Sequence, residues 1–224
     1  MEKSINLKKI SVSAMLCALA YLCMFVFRIK VSFLTFDAKD AVISIISLMF
    51  GPLYGVMSAA VVAFLEFITV SDTGVYGLIM NFLSSGTFAL TCGLIYKYNK
   101  KFSGAILALA VSVVSVTSVM LLANLFITPY FMGADRSVVI SMIAPLLLPF
   151  NLTKSVMNAA ITLAIYKPLT TGLKKSKLIP SNDNANFKMN SKSILLIIIA
   201  VIIIVLAIFV FLLFLDGKFE LVRS

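Results

Sequence analysis

A polar stripe near residue 150 holds the side chains of this sequence that are best placed to do chemistry. Asn151, Lys154 and Asn158 are spaced i, i+3 and i+7, so in a helix all three lie on one face. The residues around them are mostly apolar, over a length that predicts a membrane span. Inserting a lysine at mid-span costs about 2.5–3.5 kcal/mol, so such a residue is by default a candidate functional group. The stripe therefore predicts a site at which a polar group meets this helix.

Further polar and aromatic side chains are expected in the outer half of the same bundle. The polar ones are Asn81, Asn124, Glu66, Asp37 and Asp40. The aromatic ones are Phe33, Phe36, Tyr76, Tyr130 and Phe131. Neutral hydrogen-bonding groups around one lysine, with aromatic faces beside them, favour a polar, largely uncharged ligand that has an aromatic body.

Several of these polar residues also have a purely structural interpretation. Asn81 and Asn124 suit hydrogen bonds between helices, which contribute about 0.6 kcal/mol on average. Asp40 suits the N-cap of the second span. Glu66 and Lys154 suit a structural ion pair, in which case the protein would be a membrane scaffold or enzyme built around that pair and not a transport protein.

Patterns typical of enzymes and metal sites are missing from the sequence. It contains no histidine, the commonest metal ligand and acid–base catalyst. Neither G-x-x-x-x-G-K-[ST] nor G-x-S-x-G occurs in it. The three cysteines, Cys17, Cys23 and Cys92, fall in apolar stretches and are interpreted as small buried hydrophobes. We therefore expect that the protein is not an enzyme, that it has no catalytic residue, and that it binds no metal and no cofactor.

Composition indicates an all-α, polytopic transmembrane helix bundle. Hydrophobic residues make up 61% of the 224 residues, and charged residues only 12%, against about 25% in soluble domains. A net charge of +10 can indicate nucleic-acid binding, but in a membrane protein surplus lysine usually marks cytoplasmic loops. We therefore expect the protein to contact membrane lipid and not to bind nucleic acid.

Apolar runs predict six core spans and a seventh after them. They cover about Ile10–Phe27, Asp40–Phe50, Leu53–Val70, Tyr76–Tyr96, Phe102–Ile127, Ile143–Tyr166 and Ile194–Leu215. Residues 1–173 would form the core, 174–192 a polar cytoplasmic linker, and 193–224 an additional transmembrane helix with a short tail. The Lys and Arg distribution favours a cytoplasmic N-terminus and an external C-terminus. The second span is short, so the segment before it must enter the bundle, which makes this first external loop a candidate lid.

The first span carries small residues, Ala14 and Ala18, at i and i+4. Small residues at this spacing let two helices approach closely in lipid. A chain without an ATPase motif needs a partner to drive uphill transport, so this face is a candidate partner surface.

Four segments, in this order and spacing, resemble a known family. They are Phe36-Asp37-Ala38-Lys39-Asp40, Gly51-Pro52-Leu53-Tyr54-Gly55, Gly77 through Asn81-Phe82-Leu83-Ser84-Ser85, and Leu148-Pro149-Phe150-Asn151-Leu152-Thr153-Lys154. The chain from about Leu7 to Leu173 resembles the substrate-binding S-components of energy-coupling factor (ECF) vitamin transporters, in their riboflavin-specific branch. The linker and seventh span depart from the family pattern.

The resemblance implies a six-helix bundle of the bacterial cell membrane that binds riboflavin, or the related FMN, from outside. It also implies a complex with a transmembrane coupling subunit, contacted by Ala14 and Ala18, and two ATP-binding cassette ATPases. The predicted substrate-binding residues are Asn151, Lys154, Asn124, Asn81, Asp40, Phe36 and Glu66, of which the resemblance itself points to Asn151, Lys154 and Asn124. An S-component for another vitamin, such as thiamine or folate, is the alternative within the same class.

Overall fold

The protein is a bundle of eight α-helices with a small sheet at one end, as seen in a computed structural model that describes residues 2–178, 191–215 and 221–222. The elements are α1 Glu2–Val26, β1 Ile29–Val31, β2 Leu34–Phe36, α2 Lys39–Phe50, α3 Pro52–Thr69, α4 Gly74–Tyr98, α5 Phe102–Met132, α6 Arg136–Met142, a π-helical segment Ile143–Leu147, α7 Leu148–Lys175, α8 Ser191–Leu215 and β3 Leu221–Val222. The predicted fold class, a transmembrane bundle of six core helices followed by a seventh, is confirmed. The core spans end within a few residues of the expected positions, with α5 and the sixth span longer than expected.

Five stretches in the described part of the chain are long and apolar enough to cross a membrane. They are Leu7–Val26, Pro52–Thr69, Gly74–Tyr98, Ser103–Met132 and Arg136–Leu173. The last of these runs without a break through α6, the π-helical segment and α7. Pro145 lies in the π-helical segment, where a wider turn accommodates a residue that cannot complete the usual i→i−4 bond. This irregular turn directly precedes the polar stripe.

Helix α2 is the centre of the bundle although it is too short to cross a membrane. Its 12 residues extend about 18 Å, against about 30 Å of hydrocarbon. Every side chain from Lys39 to Leu48 is buried, and α2 packs against α1, α3, α4 and α7. The helix is therefore enclosed by protein on all sides.

A β-hairpin precedes α2 in the chain, and it was not predicted from the sequence. Strands β1 and β2 pair antiparallel, with Ile29 opposite Phe36 and Val31 opposite Leu34. The two-residue turn places Ser32 at a positive φ of 55°. Strand β3 adds to the free edge of β1, so the strand order is β2-β1-β3. The external loop that we predicted as a candidate lid thus contains a hairpin, and its role as a lid stays a prediction.

The division into core, linker and C-terminal helix stays a prediction. Helix α7 continues to Lys175 and α8 begins at Ser191, so both helices extend slightly into the expected linker 174–192. Residues 179–190 of that linker lie outside the described residues, as does most of the tail after Leu215.

Close packing of α4 on α2 and α3 depends on Gly93, and substitution tests this dependence. A Cβ atom there would lie 2.8 Å from the Pro52 Cα and close to Ser47 Oγ. We expect Gly93→Ala to destabilise the folded protein by about 1–3 kcal/mol, which is typical of overpacking. The measurement is thermal unfolding in detergent.

Gly86→Ala, also buried in α4, is the matched control. Its new Cβ would meet nothing nearer than 3.6 Å, and alanine has the higher helix propensity by about 1 kcal/mol. Equal midpoints for the two variants would contradict the close approach.

Candidate functional site

A cavity of about 340 Å³ lies beneath the hairpin. Its walls come from the hairpin, the α3–α4 loop and helices α3, α4, α5 and α7. Among the predicted site residues, those lining it are Glu66, Asn81, Asn124, Asn151 and Lys154. The aromatic side chains of Phe33, Tyr76 and Phe131 also line it. The volume lies within the range of small-molecule pockets, about 300–1,000 Å³.

Lys154 binds the backbone and side chain of the segment that joins the hairpin to α2. Its Nζ donates to Asp37 Oδ2 at 2.8 Å and to the Thr35 carbonyl oxygen at 3.0 Å. Both charged side chains are at least nine-tenths buried. The cation of the polar stripe therefore lines the cavity while its charge is neutralised by Asp37 of the segment between β2 and α2, which we call the lid segment.

Lys39 is the second buried cation, and the sequence analysis had assigned it to an external loop. It forms an ion pair with Glu66 of α3, and its Nζ lies 3.6 Å from Asp37 Oδ2. Asp37 thus sits between two lysines. The loop position that we expected for Lys39 hid this role. Two acidic residues within two positions of Lys39 were nevertheless a visible signal of pairing.

The alternative of a Glu66–Lys154 ion pair is wrong. Within the described residues, Glu66 pairs with Lys39 and Lys154 pairs with Asp37. The physical reason is that α2 brings its own lysine to Glu66, while the hairpin brings a carboxylate to Lys154.

Asp40 is buried but does not cap α2 as suggested. The helix begins one residue earlier, at Lys39, and the Asp40 carboxylate accepts a hydrogen bond from Ser85 of α4. Phe36 lies behind the cavity wall, where its ring centroid is 4.4 Å from that of Phe150. Neither Asp40 nor Phe36 lines the cavity, and their roles as direct ligands stay predictions.

Asn158 joins α2 and the lid segment to α7 by hydrogen bonds, a role that was not predicted from the sequence. Its Nδ2 donates to the Asp37 carbonyl oxygen at 2.9 Å, and its Oδ1 accepts from the Ala41 amide at 2.9 Å. Ala41 lies in the first turn of α2, where amide groups have no partner within the helix. One turn along α7, Thr162 and Ser44 join their hydroxyls at 2.8 Å. The i+7 position in the stripe was the available signal.

Asn124 and Asn151 present amide groups to the cavity from α5 and α7. Asn124 Nδ2 donates to the Met120 carbonyl oxygen at 2.7 Å, and its Oδ1 accepts from Thr128 at 2.7 Å. Asn151 Nδ2 donates to the Leu147 carbonyl oxygen at 2.7 Å. These bonds fix the orientation of both side chains. An amide can make about four hydrogen bonds, so both retain capacity for a ligand.

Contacts between the hairpin and neighbouring elements lie along the cavity wall. Lys30 pairs with Asp72 of the α3–α4 loop, and this lysine holds the pKa of the Asp72 carboxyl below its usual range. The Phe131 ring lies 6.0 Å from Phe33 and 6.2 Å from Tyr76 between centroids. Tyr130, predicted at the same level, is exposed on the outside of α5. The hairpin, our candidate lid, is therefore joined to neighbouring elements by an ion pair and an aromatic cluster.

The small residues of α1 lie on the outer surface of the bundle. Ala14 and Ala18 are exposed, whereas Val12, Leu16 and Ala20 are buried. The helix packs against α2 and α3 through the buried face. The candidate partner surface is thus uncovered along its length.

Comparison with known proteins gives three consistent findings. Residues 8–166 match the family model described as "ECF transporter, substrate-specific component". The chain is 27% identical to the riboflavin transporter RibU of Staphylococcus aureus (strain TCH60) over 182 residues, which cover 75% of this chain and 93% of that protein. It is also similar to a solved structure titled "Structure and mechanism of the S component of a bacterial ECF transporter", with a TM-score of 0.66, 25% identity, and coverage of 75% of this chain and 99% of the other.

The buried charge network makes a prediction about stability. Lys39→Met leaves the Glu66 carboxylate buried without its partner, and breaking a buried pair in this way typically costs about 3–5 kcal/mol. We expect the double variant Lys39→Met/Glu66→Gln to recover much of that loss. The measurement is a double-mutant cycle on the free energy of unfolding in mixed micelles.

The Lys30–Asp72 pair is the control for this cycle, because the Asp72 side chain is 66% exposed. Exposed pairs contribute about 0–1 kcal/mol, so Lys30→Met and Asp72→Asn should each have a small effect. A coupling energy for Lys39 and Glu66 that is no larger than this would contradict the buried network.

Proposed function

Because the chain belongs to the ECF transporter family of substrate-specific components, we propose that it binds riboflavin in the cavity beneath the hairpin and delivers it for import. The family is one of transport subunits and not of enzymes. The similarity to the riboflavin transporter RibU spans most of both chains and supports this choice of vitamin.

The pairing of the charged residues Lys154 and Glu66 supports a neutral ligand. Lys154 and Glu66, which both line it, are already paired with Asp37 and Lys39. An ionic group that binds at Lys154 or Glu66 would have to break a buried pair, at a cost of several kcal/mol. A neutral ligand avoids that cost, because it can hydrogen-bond to the unused lone pairs and protons of these side chains while the ion pairs stay intact.

Riboflavin has the polarity and shape that these walls require. Its flat isoalloxazine ring suits the aromatic side chains of Phe33, Tyr76 and Phe131. The ring edge offers both donors and acceptors, which amide groups such as Asn124 and Asn151 complement. The ribityl chain is neutral and rich in hydroxyls. Thiamine carries a permanent positive charge and folate carries two carboxylates, so both suit this cavity less well.

We further propose that the protein acts in a bacterial plasma membrane, N-terminus in the cytoplasm, with a coupling subunit and two ATPases. The exposed Ala14 and Ala18 on α1 suit close approach of a partner helix. Riboflavin would enter from outside, the hairpin would close over it, and ATP hydrolysis by the partners would reorient the bundle. The chain's own residues perform no chemistry on the vitamin.

Titration of the purified protein with riboflavin, read by quenching of flavin fluorescence, tests the site. Lys154→Met removes a charged hydrogen-bond donor, so we expect affinity to fall about 10- to 100-fold. Asn151→Ala removes a neutral group and should weaken binding about 3- to 10-fold. Tyr130→Ala, outside the cavity, is the control and should bind as wild type.

Unchanged affinity in both cavity variants would refute the site assignment. Competition with FMN, thiamine and folate identifies the vitamin class in the same assay. Displacement by thiamine or folate but not by riboflavin would refute the choice of vitamin.

The partner surface is tested by copurification with the coupling subunit. Ala14→Leu and Ala18→Leu add bulk at the proposed contact, so we expect assembly to be lost while riboflavin affinity stays unchanged. Ala110→Leu, at an exposed position on α5, is the matched control and should assemble normally. Assembly of the α1 variants at wild-type yield would contradict the proposed surface.

A further inference from the structure

The C-terminal part of the chain contacts the hairpin at two independent places. Strand β3 pairs antiparallel with β1, placing Val222 opposite Lys30 and Leu221 opposite Val31. Helix α8 packs on α7 and the π-helical segment, and it contacts β2 of the hairpin through Phe211 and Phe36. We name α8 together with β3 the C-terminal clasp. The family match ends at residue 166, so the clasp lies outside the part of the chain that matches the family.

One side chain of α8 is set apart from its neighbours. Phe211 is only 3% exposed, whereas Phe209 and Leu213 are 57% and 62% exposed. The Phe211 ring meets Phe36 of β2 edge to face, with centroids 4.9 Å apart, and lies 6.1 Å from Phe150 of α7. Ile204, two turns earlier on the same helix face, packs into the same cluster. The helix thus presents a defined aromatic contact to the lid.

This contact is adjacent to the residues that wall the cavity. Phe36 is followed directly by Asp37, which binds Lys154. Phe150 lines the cavity and precedes Asn151. The hairpin itself contributes Ser32 to Thr35 to the cavity wall. Movement of the hairpin away from the cavity would therefore separate Phe36 from Phe211 and β1 from β3.

A hairpin with strands of three residues needs such support. An isolated two-stranded hairpin is marginally stable in water, and a third strand or a packed apolar face is required to hold it. The clasp supplies both: β3 covers the outer edge of β1, and Phe211 covers the apolar side of β2.

We propose that the C-terminal clasp is part of the ligand gate: it holds the hairpin closed over the cavity and slows exchange of the bound ligand. The proposal rests on the proposed function only in that the ligand is riboflavin. Loss of the clasp shifts the lid towards its open state, so association and dissociation both become faster. The equilibrium affinity changes less than either rate.

The test compares Phe211→Ala with Phe209→Ala in the full-length protein. Stopped-flow flavin fluorescence measures riboflavin dissociation into excess competitor, and we expect Phe211→Ala to release it about 10-fold faster than wild type. Phe209→Ala removes an exposed ring from the same helix and should leave the rate unchanged. An unchanged rate in Phe211→Ala, or equal acceleration in both variants, would overturn the proposal.

Hydrogen–deuterium exchange provides a readout that needs no ligand. In the ligand-free protein, amides of residues 29–36 should exchange faster in Phe211→Ala than in wild type or Phe209→Ala. If wild type binds no riboflavin, the proposed function fails while this measurement still decides on the clasp. Unchanged exchange in the hairpin would overturn the clasp alone.

A cross-link replaces the truncation if Phe211→Ala does not fold. Lys30→Cys and Val222→Cys, in a chain whose three native cysteines are replaced by alanine, place two thiols on directly paired residues. Oxidation should slow hairpin amide exchange and riboflavin release, and reduction should restore both. Cross-linked protein with unchanged exchange in the hairpin would overturn the proposal.

Discussion

The position of Asp37 between Lys39 and Lys154 is the interaction on which the rest of the site depends. A charged group inside a membrane bundle is stable only when it is paired and hydrogen-bonded. Asp37 meets that condition for lysines from two helices at once, and Glu66 completes the pairing of Lys39. Because the charges come from α2, α3, α7 and the lid segment, their pairing fixes these four parts relative to one another.

The paired charges allow the bundle to contain a central helix, α2, that is too short to span the bilayer. Irregular backbone at membrane depth is tolerated only where protein covers it. Asn158 supplies the hydrogen bonds that the start of α2 and the lid segment lack, through Ala41 and Asp37. Ser47 donates to the Ala89 carbonyl oxygen at 2.6 Å near the other end of α2. The helix is held by polar contacts at both ends, which leaves room in front of it for a cavity and a lid.

Local pattern in the sequence predicted the helices and the polar stripe but not the partners across the fold. Apolar runs of about 20 residues and the i, i+3, i+7 spacing are properties of one segment, so spans and the faces of α7 followed from them. The pairing of Lys39 with Glu66 joins residues 27 positions apart, and no local signal distinguishes Glu66 from Asp37 as its partner. The hairpin was missed because strands of three residues fall below the length at which alternation is recognisable.

Helices α1 and α8 pack on different helices of the core, so the proposed partner surface and the proposed clasp are separate. Helix α1 packs on α2 and α3 and leaves its small residues uncovered, whereas α8 packs on α7 and the π-helical segment. A partner helix on α1 therefore meets a surface that α8 does not occupy. Since β3 lies beside β1, α8 must also end at the side of the membrane where the hairpin lies. The proposed clasp on α7 can thus hold the hairpin while the exposed small residues of α1 stay free for the proposed assembly.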